Sequence, residues 1–217
     1  DYDPRQQRLD HLLRESGAQL TVGTRLQLVR DIAETLQYAH AKRLYHRALG
    51  PQSILVGAGD ASGTLSPRLM NWQTAMRDVS NADTKHRTTG THHVEEHVED
   101  LGKMYLAPET AMADESMGAR LDIFSLGALA YHIFSGQAPA TNAQELEDRL
   151  RQGQGLRLSD VMDGCGRHLQ DLIQYATCPD VTIRTASAKD FLDDLEKVED
   201  ELTAPDPETT VDPAVAT

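Results

Sequence analysis

The sequence predicts a mainly α-helical (α+β) domain with one small β-hairpin. Three observations carry that expectation: apolar residues recur at spacings of three and four along most of the chain, Leu121 to Phe134 is apolar nearly all round a helix, and one pair of short apolar runs is separated by turn residues. The 217 residues, 39% hydrophobic and 25% charged, fit one ordinary globular domain. Aromatics at 5% are sparse, so the core should rest on Leu, Ile, Val, Ala and Met.

Taken in order, residues 5–14 place Leu9, Leu12 and Leu13 on one face of a short helix that Ser16-Gly17 ends. From Thr24, the expected N-cap, Leu28, Val29, Ile32, Ala33, Leu36 and Ala39 form one stripe of a helix of about 18 residues ending near 41–43. Ser53 to Val56 and Arg68 to Trp72 are the two arms of the hairpin, the only strand pair expected, with GAGDASGTLSP between them. The glycines of that turn lack the G-x-G-x-x-G spacing and a following helix, so they are read as a turn and not a phosphate cradle.

Residues 77–103 are polar and aperiodic, which predicts a long loop. Leu121 to Phe134 should be the central buried helix, with helices at 142–152, 166–176 and 186–202 around it. Phe191, Leu192, Leu195 and Val198 share the inner face of the last. Residues 203–217 have three prolines and no apolar period, and are expected to be a disordered tail.

The charge balance excludes some functions. Thirty-four acidic against 21 basic residues give −13, which opposes binding to a phosphate backbone, so no nucleic acid is expected as partner. The Leu121 to Gly136 stretch is broken by Asp122, Ser125, His132 and Ser135 and is shorter than the roughly 20 residues of a membrane span. Cys165 and Cys178 form no C-x-x-C and read as reduced thiols, which together with the missing span predicts a cytoplasmic protein.

The segment His46-Arg47-Ala48-Leu49-Gly50-Pro51-Gln52-Ser53-Ile54-Leu55-Val56 is similar, position by position, to the protein-kinase catalytic loop H-R-D-L-K-P-x-N-I-L-V, matching seven of ten specified positions. Later segments follow in the family's order: Asn71-Trp72-Gln73 after a strand, Ala107-Pro108-Glu109, Asp122 in the buried helix, then Arg184. The chain thus resembles the eukaryotic-like (Hanks-type) protein kinases over roughly residues 1–200. The resemblance implies that residues 1–202 are the large C-terminal lobe. The small lobe, with its Gly-rich loop and strand lysine, is expected to be absent from the chain.

At the matching positions the chemistry has changed. The resemblance puts the proton-accepting aspartate at Ala48, the lysine two places on at Gly50, the magnesium-binding asparagine at Ser53, the D-F-G aspartate and glycine at Asn71 and Gln73, and the threonine of T-x-x-Y-x-A-P-E at Gly102. A general base is typically worth about 10² to 10⁴ in rate, and alanine supplies none. The scaffold is retained: His46, Arg47, Pro51 and Gly127 match, Glu109 and Arg184 match the family's ion pair, and Asp122 matches the aspartate that holds the catalytic loop.

The expectation is therefore a pseudokinase lobe with no catalytic residue and no cofactor, serving as a regulatory or protein-interaction module for a protein partner or other domains of a larger bacterial-type protein. The alternative is an unorthodox serine/threonine kinase that uses ATP and magnesium through Asn71 and Ser53 once a small lobe completes it. H-R-A-L-x-P loops are also similar to those of degenerate kinases in large bacterial phage-defence proteins. His92, His93 and His97, with His86, Glu95 and Glu96 nearby, are weak metal candidates because the H-E-x-x-H order is absent. Thr84, Thr88, Thr89 and Thr91 lie where a kinase activation loop is phosphorylated, and Arg47 is the family's phosphate reader.

Overall fold

The computed structural model describes residues 6–58, 64–72, 76–77, 100–111 and 117–203. The expected tail, Gln73, most of the 77–103 loop with its threonines, and the metal candidates His92, His93 and His97 lie outside the described residues.

Strand β1 (Gln7–Arg8) leads directly into helix α1 (Leu9–Ser16), whose buried residues are Leu9, Leu12 and Leu13 as the spacing predicts. Helix α2 (Val22–Ala41) starts earlier than expected: Thr21 is the N-cap, its Oγ1 accepting the Thr24 N–H at 3.1 Å. Thr21 and Thr24, three apart, are the same capping residue type, and the sequence reading places the cap at the inner one. The outer one wins because the buried stripe begins at Leu26, ahead of Leu28, and needs a further helical turn.

Strand β2 (Leu44–Tyr45) precedes the kinase-like loop, which closes in a 3-10 turn over Pro51–Ser53. Strands β3 (Ile54–Ala58) and β4 (Leu65–Leu69) form the expected hairpin, with Ile54 opposite Leu69 and Val56 opposite Pro67. The second arm lies earlier than 68–72, since Ser66 and Arg68 are exposed while Leu69 turns inward, an alternation that the apolar run concealed. Pro67 is tolerated because β4 is an edge strand.

The hairpin is not the only strand pairing. β1 adds to β3 on its other side, and β2 pairs antiparallel with β5 (Met76–Arg77). Strands of two residues hold too little alternation to be read from sequence.

Helix α3 (Gly118–Ser135) is the centre, buried on every face along Leu121 to Tyr131. It stops at Gly136, whose φ of 73° suits glycine, with the Gly136 N–H donated to the His132 carbonyl. Arg25 on α2 donates to the carbonyls of Ile133 and Phe134, so a guanidinium satisfies acceptors that the end of α3 leaves open.

Helices α4 (Ala143–Gly153), α5 (Arg167–Ala176) and α6 (Ala188–Thr203) follow close to their predicted bounds. A Cβ on Gly127 would lie 2.6 Å from the Ala176 Cβ, so this glycine sets the approach of α3 to α5. Phe191, Leu195 and Val198 are buried on α6, whereas Leu192 is half-buried at its flank. Near the end of α6, Glu199 pairs with Arg30 of α2 at 2.6 Å and Glu201 accepts the N–H groups of Arg167 and His168, capping α5. Both cysteines are free, and among the described residues no helix is long and apolar enough to cross a membrane.

Candidate functional site

The site is assembled where the end of α2, the loop at 46–53, the end of β4 and helix α3 meet. Asp122, fully buried on α3, holds it together. Its Oδ2 accepts the His46 N–H at 2.8 Å and its Oδ1 accepts the Arg47 N–H at 2.7 Å. His40 in the last turn of α2 places Nε2 2.9 Å from the same Oδ2. One buried carboxylate thus meets two loop amides and an imidazole, which is the satisfaction that a group at this depth requires.

These bonds fix a loop whose backbone is strained. Arg47 has φ of 65°, the left-handed region that side chains other than Asn and Asp rarely enter, whereas Asn71, at φ of 61° beyond β4, is a residue type that tolerates it. The two loop amides donated to Asp122 hold Arg47 there. His46 is buried and spans to the end of β4, its Nε2 2.7 Å from the Met70 carbonyl and its ring 4.7 Å from that of Trp72. The Met70 N–H in turn donates to the Ser53 carbonyl at 2.8 Å. The loop and the Asn71-Trp72 segment therefore form one body.

Within that body, the positions that carry chemistry in kinases are closed or bare. Ala48 is half-buried and presents a methyl group; its N–H reaches only towards His46 Nδ1, at 3.4 Å. The Ser53 hydroxyl is 4% exposed for the residue and turned into the loop, accepting the Gly50 N–H at 3.0 Å and donating to the Gly50 carbonyl at 2.8 Å. Its single proton is committed to the backbone. Asn71 is exposed and offers a neutral amide. Magnesium favours oxygen ligands with at least one carboxylate, and neither position provides one, so these residues do not fit the ion.

The second retained node lies on the other side of α3. Arg184, 2% exposed, donates from Nη1 to Glu109 Oε1 at 2.5 Å and from Nη2 to Oε2 at 3.1 Å. Its Nε and Nη1 also donate to the carbonyls of Cys178 and Arg120, and its guanidinium lies 5.2 Å from the Phe124 ring centroid. Arg120 returns a bond to the Arg184 carbonyl at 2.9 Å. Each of the three nitrogens of the buried cation has an acceptor, which makes burial tolerable.

Glu109 follows a 3-10 turn at Asp100–Tyr105, where Gly102 is buried, then buried Ala107 and exposed Pro108. Tyr105 is also buried; its Oη lies 2.6 Å from His132 Nδ1. Burial drives the Tyr105 hydroxyl upward and the His132 imidazole down to about 4, so the pair stays neutral near neutrality. A groove of about 450 Å³ runs between Met104–Pro108 and α4, with Met104, Leu106 and Leu146 on its floor and Lys103 and Glu147 at its rim.

Sequence reasoning located Asp122, His46, Arg47, Glu109 and Arg184, and the structure brings the first three together and the last two together. It missed His40, Arg120 and the Tyr105–His132 pair. His40 was the findable one, since it lies on the final turn of the helix that delivers the loop.

The sequence pattern described as protein tyrosine and serine/threonine kinase matches residues 5–189. The chain belongs to the protein kinase family. It is 38% identical over 94% of its length to "Probable kinase PglW" of Streptomyces coelicolor, of which it spans only 14%. Over 54% of its length it is 31% identical to the serine/threonine-protein kinase PknF of Mycobacterium tuberculosis, spanning 22% of that protein. Over a similar stretch, 54% of the chain, it is 28% identical to the serine/threonine-protein kinase PknB of the same organism, spanning 16% of it. The relatives are bacterial, and the chain corresponds to a small part of each.

Proposed function

We propose that this lobe is a pseudokinase module that acts by binding a protein partner or neighbouring domains and not by transferring phosphate. The observation that carries the reading is Ala48: the Asp122 hydrogen bonds hold His46 and Arg47 in place, and the next residue presents a methyl group where a hydroxyl proton would have to be accepted. The closed Ser53 hydroxyl and the neutral amide of Asn71 support it, because one metal-ligand position has its oxygen turned into the loop and the other has no carboxylate. The apolar groove beside α4 supports the interaction half, since a peptide could lie there without any chemistry.

A second reading, an ATP-dependent serine/threonine kinase, is favoured by the kinase names of the relatives and by the exposed amide of Asn71 at the end of β4. The two are separated by incubating the full-length protein with γ-labelled ATP and magnesium and following label on the protein and on a generic basic substrate. The pseudokinase reading expects none above the level of an Asn71→Ala, Ser53→Ala double variant. Transfer by the natural protein that disappears in that variant would establish the second reading.

A further inference from the structure

Apart from the Ala48 loop, which contributes none of its lining, α2 and the β3–β4 hairpin enclose an open groove of about 410 Å³, lined by Asp31, Glu34, Thr35, Tyr38, Ser66 and Pro67. The helix residues fall at i, i+3, i+4 and i+7, one stripe along α2 rising about 10 Å from Asp31 to Tyr38. Tyr38 stands out: it is 70% exposed, the most exposed of the large apolar and aromatic residues on the described surface. The Lys42 ammonium sits 5.6 Å from its ring centroid, so the ring face already attracts a cation.

The carboxylates beside it are available. Asp31 accepts one amide hydrogen bond, from Gln27 at 2.7 Å, and Glu34 makes no hydrogen bond or ion pair with any described residue. Arg30, one turn before Glu34, attracts it through space but makes its two hydrogen bonds to Glu199. The Thr35 hydroxyl is used up on the Asp31 carbonyl, which leaves the two acids as the charged groups of the groove, with the exposed Ser66 hydroxyl beside them. Pro67 supplies an apolar wall from the hairpin.

We infer that this groove is a docking site for an extended, arginine-bearing segment of a protein partner. A guanidinium is planar and weakly hydrated, so it can stack on the Tyr38 ring in place of Lys42, while its fork of donors suits a carboxylate better than an ammonium does. An extended strand repeats on one face about every 6.6 Å, close to the rise of about 6 Å between Glu34 and Tyr38, so two arginines two residues apart reach the acid and the ring together. The site uses none of the residues of the Ala48 loop and stands whether or not the lobe transfers phosphate.

The test is fluorescence anisotropy of the 217-residue chain with a labelled 12-residue peptide carrying Arg-x-Arg, and with the same peptide carrying Lys-x-Lys. The arginine peptide is expected to bind more tightly, and Tyr38→Ala and Glu34→Gln each to weaken it roughly fivefold, with unchanged thermal unfolding because both side chains are exposed. Asp193→Asn, an equal charge change on the outer face of α6, is expected to leave binding as it was. Equal weakening by Asp193→Asn, equal affinity for the lysine peptide, or no loss in Tyr38→Ala would each overturn the site and reduce the binding to attraction by net negative charge.

Discussion

The Asp122 node and the Ala48–Ser53 stretch share one loop, yet they have kept and lost the kinase pattern respectively. Asp122, His46 and Arg47 are bonded to one another inside the protein, as are Glu109 and Arg184. Ala48, Gly50, Ser53 and Asn71 occupy positions whose family partners are a metal ion, a nucleotide or a substrate. The difference teaches which constraint each residue answers to. A buried charge must be satisfied for the chain to fold, whereas a position facing an external ligand is restrained only while that ligand is used.

The contrast breaks most visibly at Arg184. Arg184→Leu leaves Glu109 without its cation and the Cys178 carbonyl without the Nε donor, and should lower stability by about 3–5 kcal/mol in equilibrium urea unfolding. Asp122→Ala comes next. It strands two loop amides, which should cost about 2–3 kcal/mol, and hydrogen exchange at His46 and Arg47 should accelerate ahead of the rest of α3.

The buried Tyr105–His132 pair gives a pH signature. The folded pKa of His132, about 4, lies below its ordinary value of 6.5, so between those limits the unfolded chain binds more protons and stability rises with pH. Its contribution is complete above about 6.5 and is lost as pH falls towards 4. In His132→Gln the urea midpoint should vary less steeply across that window than in the natural chain. At the other extreme, Asn71→Asp alters an exposed amide outside both nodes and should shift stability by less than about 0.5 kcal/mol. A loss as large as that of Asp122→Ala would show that the degenerate positions also carry folding energy.

Much of this was legible because it is periodic or carried by a motif. The all-round apolar pattern of 121–134 placed the central helix, and the spacing from His46 to Arg184 placed both retained nodes. What escaped was local and two-sided. Thr21 and Thr24 are equivalent caps until the packing of Leu26 is known, and the two-residue strands β1, β2 and β5 have no period to detect. His40 joins Asp122 across 82 positions, a pairing that only the crossing of α2 and α3 creates. The inward turn of the Ser53 hydroxyl is likewise a matter of loop geometry, since serine itself is equally able to face out.

The caps at the end of α6 have a consequence for where the lobe can be cut. Glu199 ties α6 to α2 and Glu201 supplies the acceptors for the first amides of α5, so the last helical turn serves two other helices besides its own. A protease cleaving beyond Thr203 should release a lobe as resistant as before. A nick at Lys197 would remove both carboxylates at once, loosening α5 and the outer side of α2 from the central helix and exposing Phe191 and Leu195 to further digestion. The C-terminal turn of α6 is therefore the clasp of the lobe, and its digestion pattern reports on the whole helical layer.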